Sequence, residues 1–167
     1  MGWISISRPK GQSVISYAQN FEDVMLARLF AGRNIGFYVD VGAADPVNLS
    51  VTKLVYDLGW SGLNIQPNKQ LSVGSRRPRD INLDCGAGAT ASEAQFFEPD
   101  VGELSSFDSR VQENAKSNGV RGSTRTVALA PLTDLLKLHC PGGAIDFLKI
   151  DVEGWEAEVL KGLDLRQ

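Results

Sequence analysis

A doubly wound α/β sheet is the architecture this sequence predicts, and three observations carry the expectation. Two apolar runs, Phe37-Tyr38-Val39-Asp40-Val41 and Ile145-Asp146-Phe147-Leu148-Lys149-Ile150, have the hydrophobicity of buried parallel strands. Each leads into an acidic residue and a glycine, in Asp40-Val41-Gly42 and Asp151-Val152-Glu153-Gly154. Around them, strand-like segments alternate with helix-like ones, the order that builds a parallel sheet covered on both faces. Ligands of such sheets bind outside the carboxyl ends of the strands, where the strand order reverses. The two acid–glycine ends therefore read as two halves of one cofactor site.

A chain of 167 residues fits a single domain with a substantial core. Residues 1–15 read as an N-terminal arm and residues 16–167 as the domain. Asn20 is a candidate cap for a helix to about Ala31, with Glu22 and Asp23 in its first turn. Phe21, Met25 and Leu29, with Leu26 and Phe30, give it an apolar stripe, and Gly32 is a suitable stop. After the strand at 37–41, a helix is expected over 48–58, with Leu54, Val55 and Leu58 as inward candidates. A second strand runs from Gly62 to Gln66, closed by Pro67-Asn68. Residues 69–77 suggest a helix interrupted by Gly74, and Asp80 to Cys85 a third strand. Strand character returns at 94–98 and 123–129, with a helix at 109–117 between. Pro131 opens a helix to about Leu138, the strand at 145–150 follows, and Trp155 to Lys161 is helical with Gly162 as its stop.

The net charge of −3 and pI near 5.2 argue against a general electrostatic grip on nucleic acid or acidic lipid. Arg76-Arg77-Pro78-Arg79 is a local basic patch, expected to be a solvated loop between a helix and a strand. The start lacks the apolar core of a signal peptide and no run approaches a membrane span, so a cytoplasmic protein is expected. Cys85 and Cys140 are expected to stay reduced, and His139 beside Cys140 is a poor start for a zinc site.

The loop Asp40-Val41-Gly42-Ala43-Ala44 follows a strand and precedes a helix, the context of a ligand at a helix N-terminus. It lacks the G-x-G-x-x-G spacing that a dinucleotide pyrophosphate needs. Gln66, at the end of the second strand, can accept one hydroxyl hydrogen bond and donate another, without the charge of an acid. Asp151 ends a central strand and faces the crevice. Glu153 also has a structural explanation, in the first turn of the next helix, where the dipole favours an acid.

Six segments in order add a resemblance: Ser16 to Asp23, Gly36 to Asp45, Gly59 to Asn68, Arg77 to Leu83, Leu104 to Phe107, and Ile145 to Leu163. Together they resemble the FkbM-type family of S-adenosylmethionine-dependent methyltransferases, over most of the chain from Ser16 to Asp164. The resemblance implies a Rossmann-like methyltransferase fold, S-adenosylmethionine as cofactor, and O-methylation of a sugar or natural-product hydroxyl. The acceptor would then be a small molecule or glycan. Asp40 and Gly42 would lie beside the amino-acid end of the cofactor, and Gln66 would face its ribose. Candidate cofactor contacts are thus Asp40, Gly42, Ala43, Gln66, Asn68 and Asp84, the last near the adenine. Asp151 is the first candidate catalytic residue and Glu153 the second. Against the family pattern, Gln66 replaces a usual glutamate, Ala44 stands where asparagine is common, and Trp155 where histidine or alanine is common. Asp84-Cys85-Gly86 departs from a small apolar run.

Methyltransferases of this fold normally continue with a fifth strand, a helix and a final hairpin, whereas this sequence stops soon after Gly162. The expectation is a sheet lacking its C-terminal strands, with an open edge at 145–150 that favours self-association. Trp3-Ile4-Ser5-Ile6-Ser7 alternates like a short strand that could cover it. Two other readings stay open: a degenerate methyltransferase-fold module that binds without turnover, and, with the wrong glycine pattern, a nicotinamide dehydrogenase.

Overall fold

The computed structural model describes residues 15–67, 77–100, 105–140 and 143–165. Strands β1 (Phe37–Val41), β2 (Ser61–Ile65), β3 (Ile81–Leu83) and β7 (Phe147–Ile150) form a four-stranded sheet in the order β3-β2-β1-β7. All its pairings are parallel, with Asp40 level with Asn64 on one side and Lys149 on the other. The chain steps outward from β1 to β3 and returns to β1's far side as β7. The strand order therefore reverses at the carboxyl end of β1, beside Gly42. Among the described residues, β7 pairs with β1 alone and forms one edge of this sheet.

A second sheet holds β4 (Gly86–Gly88), β6 (Gly122–Pro131) and β5 (Ser92–Pro99) in that order, with β5 antiparallel to β6. The helices are α1 (Glu22–Leu29), α2 (Lys53–Asp57), α3 (Ser109–Ser117), α4 (Leu132–His139) and α5 (Glu156–Lys161). This is the expected α/β, Rossmann-like fold, with a mostly parallel sheet and helices and, among the described residues, no closed barrel. No described helix is long and apolar enough to cross a membrane.

Alternation along β1 and β2 divides their side chains between two faces. Val39, Val41, Leu63 and Ile65 join Leu132, Leu135 and Val159 in the main apolar cluster. On the other face the Tyr38 ring packs with Val55 and Trp60. Here Gly62 is required for room: a Cβ would lie 2.2 Å from the Tyr38 ring.

Several expectations need correction. Asn20 does not cap α1; its backbone and side-chain N–H groups donate to Glu22, and Phe21 takes the cap position at φ 62°. The α1 stripe divides: Leu26 and Phe30 pack inward, while Phe21, Met25 and Leu29 are exposed. The helix expected from 48 begins only at Lys53. Asp45 Oδ1 instead accepts from the N–H groups of Val47 and Asn48, and Leu49 is left-handed at φ 54°. Leu58 is exposed rather than inward. Strand β4, with two glycines in three residues, gave no periodic signal.

The basic patch is the largest correction. Arg77 is 1% exposed, not solvated. Its guanidinium donates to Pro46 O, to Ser50 Oγ at 2.6 Å and to Thr52 Oγ1 at 2.7 Å, so it fastens the loop after β1 to the sheet. Arg79 lies over the Tyr56 ring at 3.9 Å. The helix suggested at 69–77 lies outside the described residues except for Arg77, as do Trp3 to Ser7 and Asn68.

Candidate functional site

A cleft opens at the carboxyl ends of β1, β2 and β7, where the strand order reverses. It is lined by the loop after β1 together with Lys149 and Asp151, by Gln66 and Pro67, and by Phe96, Phe107 and Trp155. Asp40, Gly42, Ala43, Gln66, Asp151 and Glu153 all line it. Asp84 is absent from the lining and lies 3.9 Å from Arg125. Asn68 falls outside the described residues.

Asp40 is 1% exposed and its two oxygens differ. Oδ2 accepts from Thr52 Oγ1 at 2.8 Å. Oδ1 lies 3.1 Å from Lys149 Nζ, close enough for an ion pair but outside hydrogen-bond alignment, so it has no hydrogen-bond donor. A buried carboxylate oxygen in that state keeps the capacity to accept a hydrogen bond, with its charge offset by Lys149. Lys149 Nζ also donates to Gly42 O at 2.6 Å and lies 3.8 Å from Asp151 Oδ2. One cation thus sits between two carboxylates. Sequence reasoning passed over it, though a lysine inside an apolar strand, level with an acid, is a readable signal.

Gly42 is fixed by packing before any ligand is considered. It has φ 81°, and a Cβ would meet Asp151 O at 1.9 Å. The ends of β1 and β7 meet there, with the Asp151 N–H donating to Val41 O at 3.0 Å, which brings Asp40 and Asp151 to the same cleft. Left-handed backbone recurs around the cleft, at Ala44 (φ 44°), Leu49 (φ 54°) and Glu153 (φ 49°). Such residues cost of order 1–3 kcal/mol each and cluster at functional sites.

Glu153 is not in the first turn of α5, which starts at Glu156. Its carbonyl accepts from the buried Ser106 hydroxyl at 2.7 Å, which ties the 151–154 turn to the second sheet. Glu156 does the helix-start work instead. Burial opposes its charge, but the N–H groups it binds, including those of Val152 and Gly154, win and hold its carboxyl below the usual range. Trp155 donates its indole N–H to Ala87 O at 3.2 Å and packs on Phe107, so the aromatic wall is built against β4.

Behind the cleft lies a buried polar network. Asp80 accepts from Tyr38 Oη at 2.6 Å and from Gly62 N and Asn64 Nδ2 at 2.9 Å each, with Arg77 3.9 Å away. Burial raises the Asp80 carboxyl above its ordinary value, against the pull of the Tyr38 and Asn64 hydrogen bonds. Burial and then Asp80 push the Tyr38 hydroxyl well above the ordinary tyrosine value.

The sequence profile of the methyltransferase FkbM domain matches residues 40–167, from the Asp40 loop through the second sheet to α5. The chain belongs to this methyltransferase family. No curated protein and no solved structure matches it.

Proposed function

We propose that this chain binds S-adenosylmethionine and methylates a hydroxyl of a sugar or natural-product acceptor in the cytoplasm. The observation that carries the reading is Asp40 Oδ1, a buried carboxylate oxygen ion-paired with Lys149 at 3.1 Å but without an aligned hydrogen-bond donor, in the lining of a cleft at the switch point. An amino-acid ammonium is the donor that chemistry calls for. Gln66 offers an amide to ribose hydroxyls, and Pro67, Phe96 and Phe107 offer apolar surface to a base. The residues present therefore fit the cofactor.

When bound, the cofactor supplies a methyl group on a sulfonium. The chain's own part is to hold it and to orient an acceptor hydroxyl beside it. Asp151, 65% exposed in its side chain and 3.8 Å from Lys149, is the first candidate to take up the acceptor's proton. Glu153, on the same turn, is the second. Titration calorimetry with S-adenosylhomocysteine and with NAD tests the reading. Saturable binding of the first and none of the second is expected. Binding of NAD instead, or of neither, overturns it. Tight binding without methyl transfer to any hydroxyl acceptor would favour the non-catalytic module.

A further inference from the structure

Arg77 carries only donors, so wherever it meets a hydroxyl, the hydroxyl must accept. Its Nη1 lies 2.7 Å from Thr52 Oγ1, and that oxygen lies 2.8 Å from Asp40 Oδ2. Thr52 has one hydroxyl proton, and with Arg77 donating to its oxygen that proton is directed to Asp40. The order Arg77 to Thr52 to Asp40 therefore has a fixed direction. Thr52 and Arg77 are 0% and 1% exposed, so water does not compete for the middle hydroxyl.

The consequence falls on Asp40's other oxygen. A carboxylate is planar, and fixing Oδ2 on the Thr52 side fixes where Oδ1 points. That Oδ1 is the atom without a hydrogen-bond donor, within ion-pair distance of Lys149. Arg77 is in turn held through Pro46 O and Ser50, on the loop that lines the cleft. We propose that Thr52 is a positioning residue that aims Asp40 at the amino-acid end of the cofactor, with Arg77 setting the direction of its hydroxyl. The proposal rests on the reading of the cleft as an S-adenosylmethionine site and adds to it how the acceptor carboxylate is oriented.

The test compares two ligands that share the adenosine half. S-adenosylhomocysteine keeps the amino-acid end and 5′-methylthioadenosine lacks it. Calorimetric affinities are measured for the parent chain, Thr52→Val and Thr52→Ser. Valine keeps the shape and removes the hydroxyl; serine keeps the hydroxyl. Thr52→Val is expected to bind S-adenosylhomocysteine about tenfold more weakly, the scale of a charge-assisted hydrogen bond. Its affinity for 5′-methylthioadenosine stays unchanged, and Thr52→Ser restores the parent's preference.

Equal weakening of both ligands in Thr52→Val, or an unchanged preference, overturns the positioning role. A parent chain that binds no S-adenosylhomocysteine overturns the cofactor reading as well, and is told apart because it appears before any variant is made. A second measurement needs no variant. A buried hydroxyl bonded on both sides exchanges slowly, so the Thr52 hydroxyl proton should give a resolved NMR signal in the parent. A signal averaged with water overturns the fixed direction.

Discussion

On one face of β1 and β2, Val39, Val41, Leu63 and Ile65 pack into an apolar cluster with α4 and α5. On the other, Tyr38, Asp40 and Asn64 meet Thr52, Arg77 and Asp80. The same strands carry both, one residue apart. The apolar face is non-directional: lost contacts there are partly recovered as neighbours relax. The polar face is directional, and removing one member leaves several others without partners in a low dielectric. The polar face is therefore the less forgiving one, although Val41 and Ile65 of the apolar face line the cleft beside Asp40. Asp40 is held in the cleft by hydrogen bonds, whereas Gly42 beside it is held by close packing.

The sharpest break in that comparison is Arg77→Met. It leaves Pro46 O, Ser50 and Thr52 without their donor and Asp80 without its nearest cation. A loss of about 4 kcal/mol is expected in urea unfolding, with S-adenosylhomocysteine binding lost as well. Leu63→Ala, on the apolar face at a fully buried site, is expected to cost about 3 kcal/mol with ligand binding retained. Should Leu63→Ala abolish binding while Arg77→Met spares it, the division between the faces is wrong.

Tyr38→Phe is the mildest test and the most specific. At neutral pH it removes one hydrogen bond to Asp80, for about 1–2 kcal/mol. Tyr38 ionises at a higher pH folded than unfolded, so the folded state binds the extra proton there. The stability it supplies is whole below pH ~10 and falls above it by about 1.4 kcal/mol per pH unit. Unfolding free energies of the parent from pH 9 to 11 should show that fall, and Tyr38→Phe should lack it. Parallel profiles would mean that Tyr38 ionises equally well in both states.

Much of this architecture was legible because it rests on local periodicity. The strand at 37–41 and most of the one expected at 145–150, observed at Phe147–Ile150, follow from their apolar runs. The two acid–glycine ends were legible as one site because the switch-point rule depends on strand order. What stayed hidden depends on long-range pairing. Arg77 looks like any arginine in a basic loop until the loop after β1 closes on it from 31 residues away. Gly42 is expected beside the amino-acid end of the cofactor, yet the nearest obstacle to a side chain there is the Asp151 carbonyl. Glu153 is expected in the first turn of a helix that starts three residues later, because the dipole preference for an acid fits Glu156 equally well.

The left-handed residues on the cleft walls set a conflict for anyone seeking a hardier version of this protein. Alanine at 44, leucine at 49 and glutamate at 153 hold a backbone shape that glycine or asparagine adopts with less strain. Asparagine is also the residue that the family resemblance leads one to expect at position 44. Thermal tolerance is thus easiest to gain at three positions that shape the cleft itself. Glycine would add freedom to the loop that must hold still, and asparagine would bring a new polar group to the cleft wall. An improvement sought by heat challenge alone would be drawn to these sites first, and would gain robustness by loosening or repolarising the walls that give the cleft its shape.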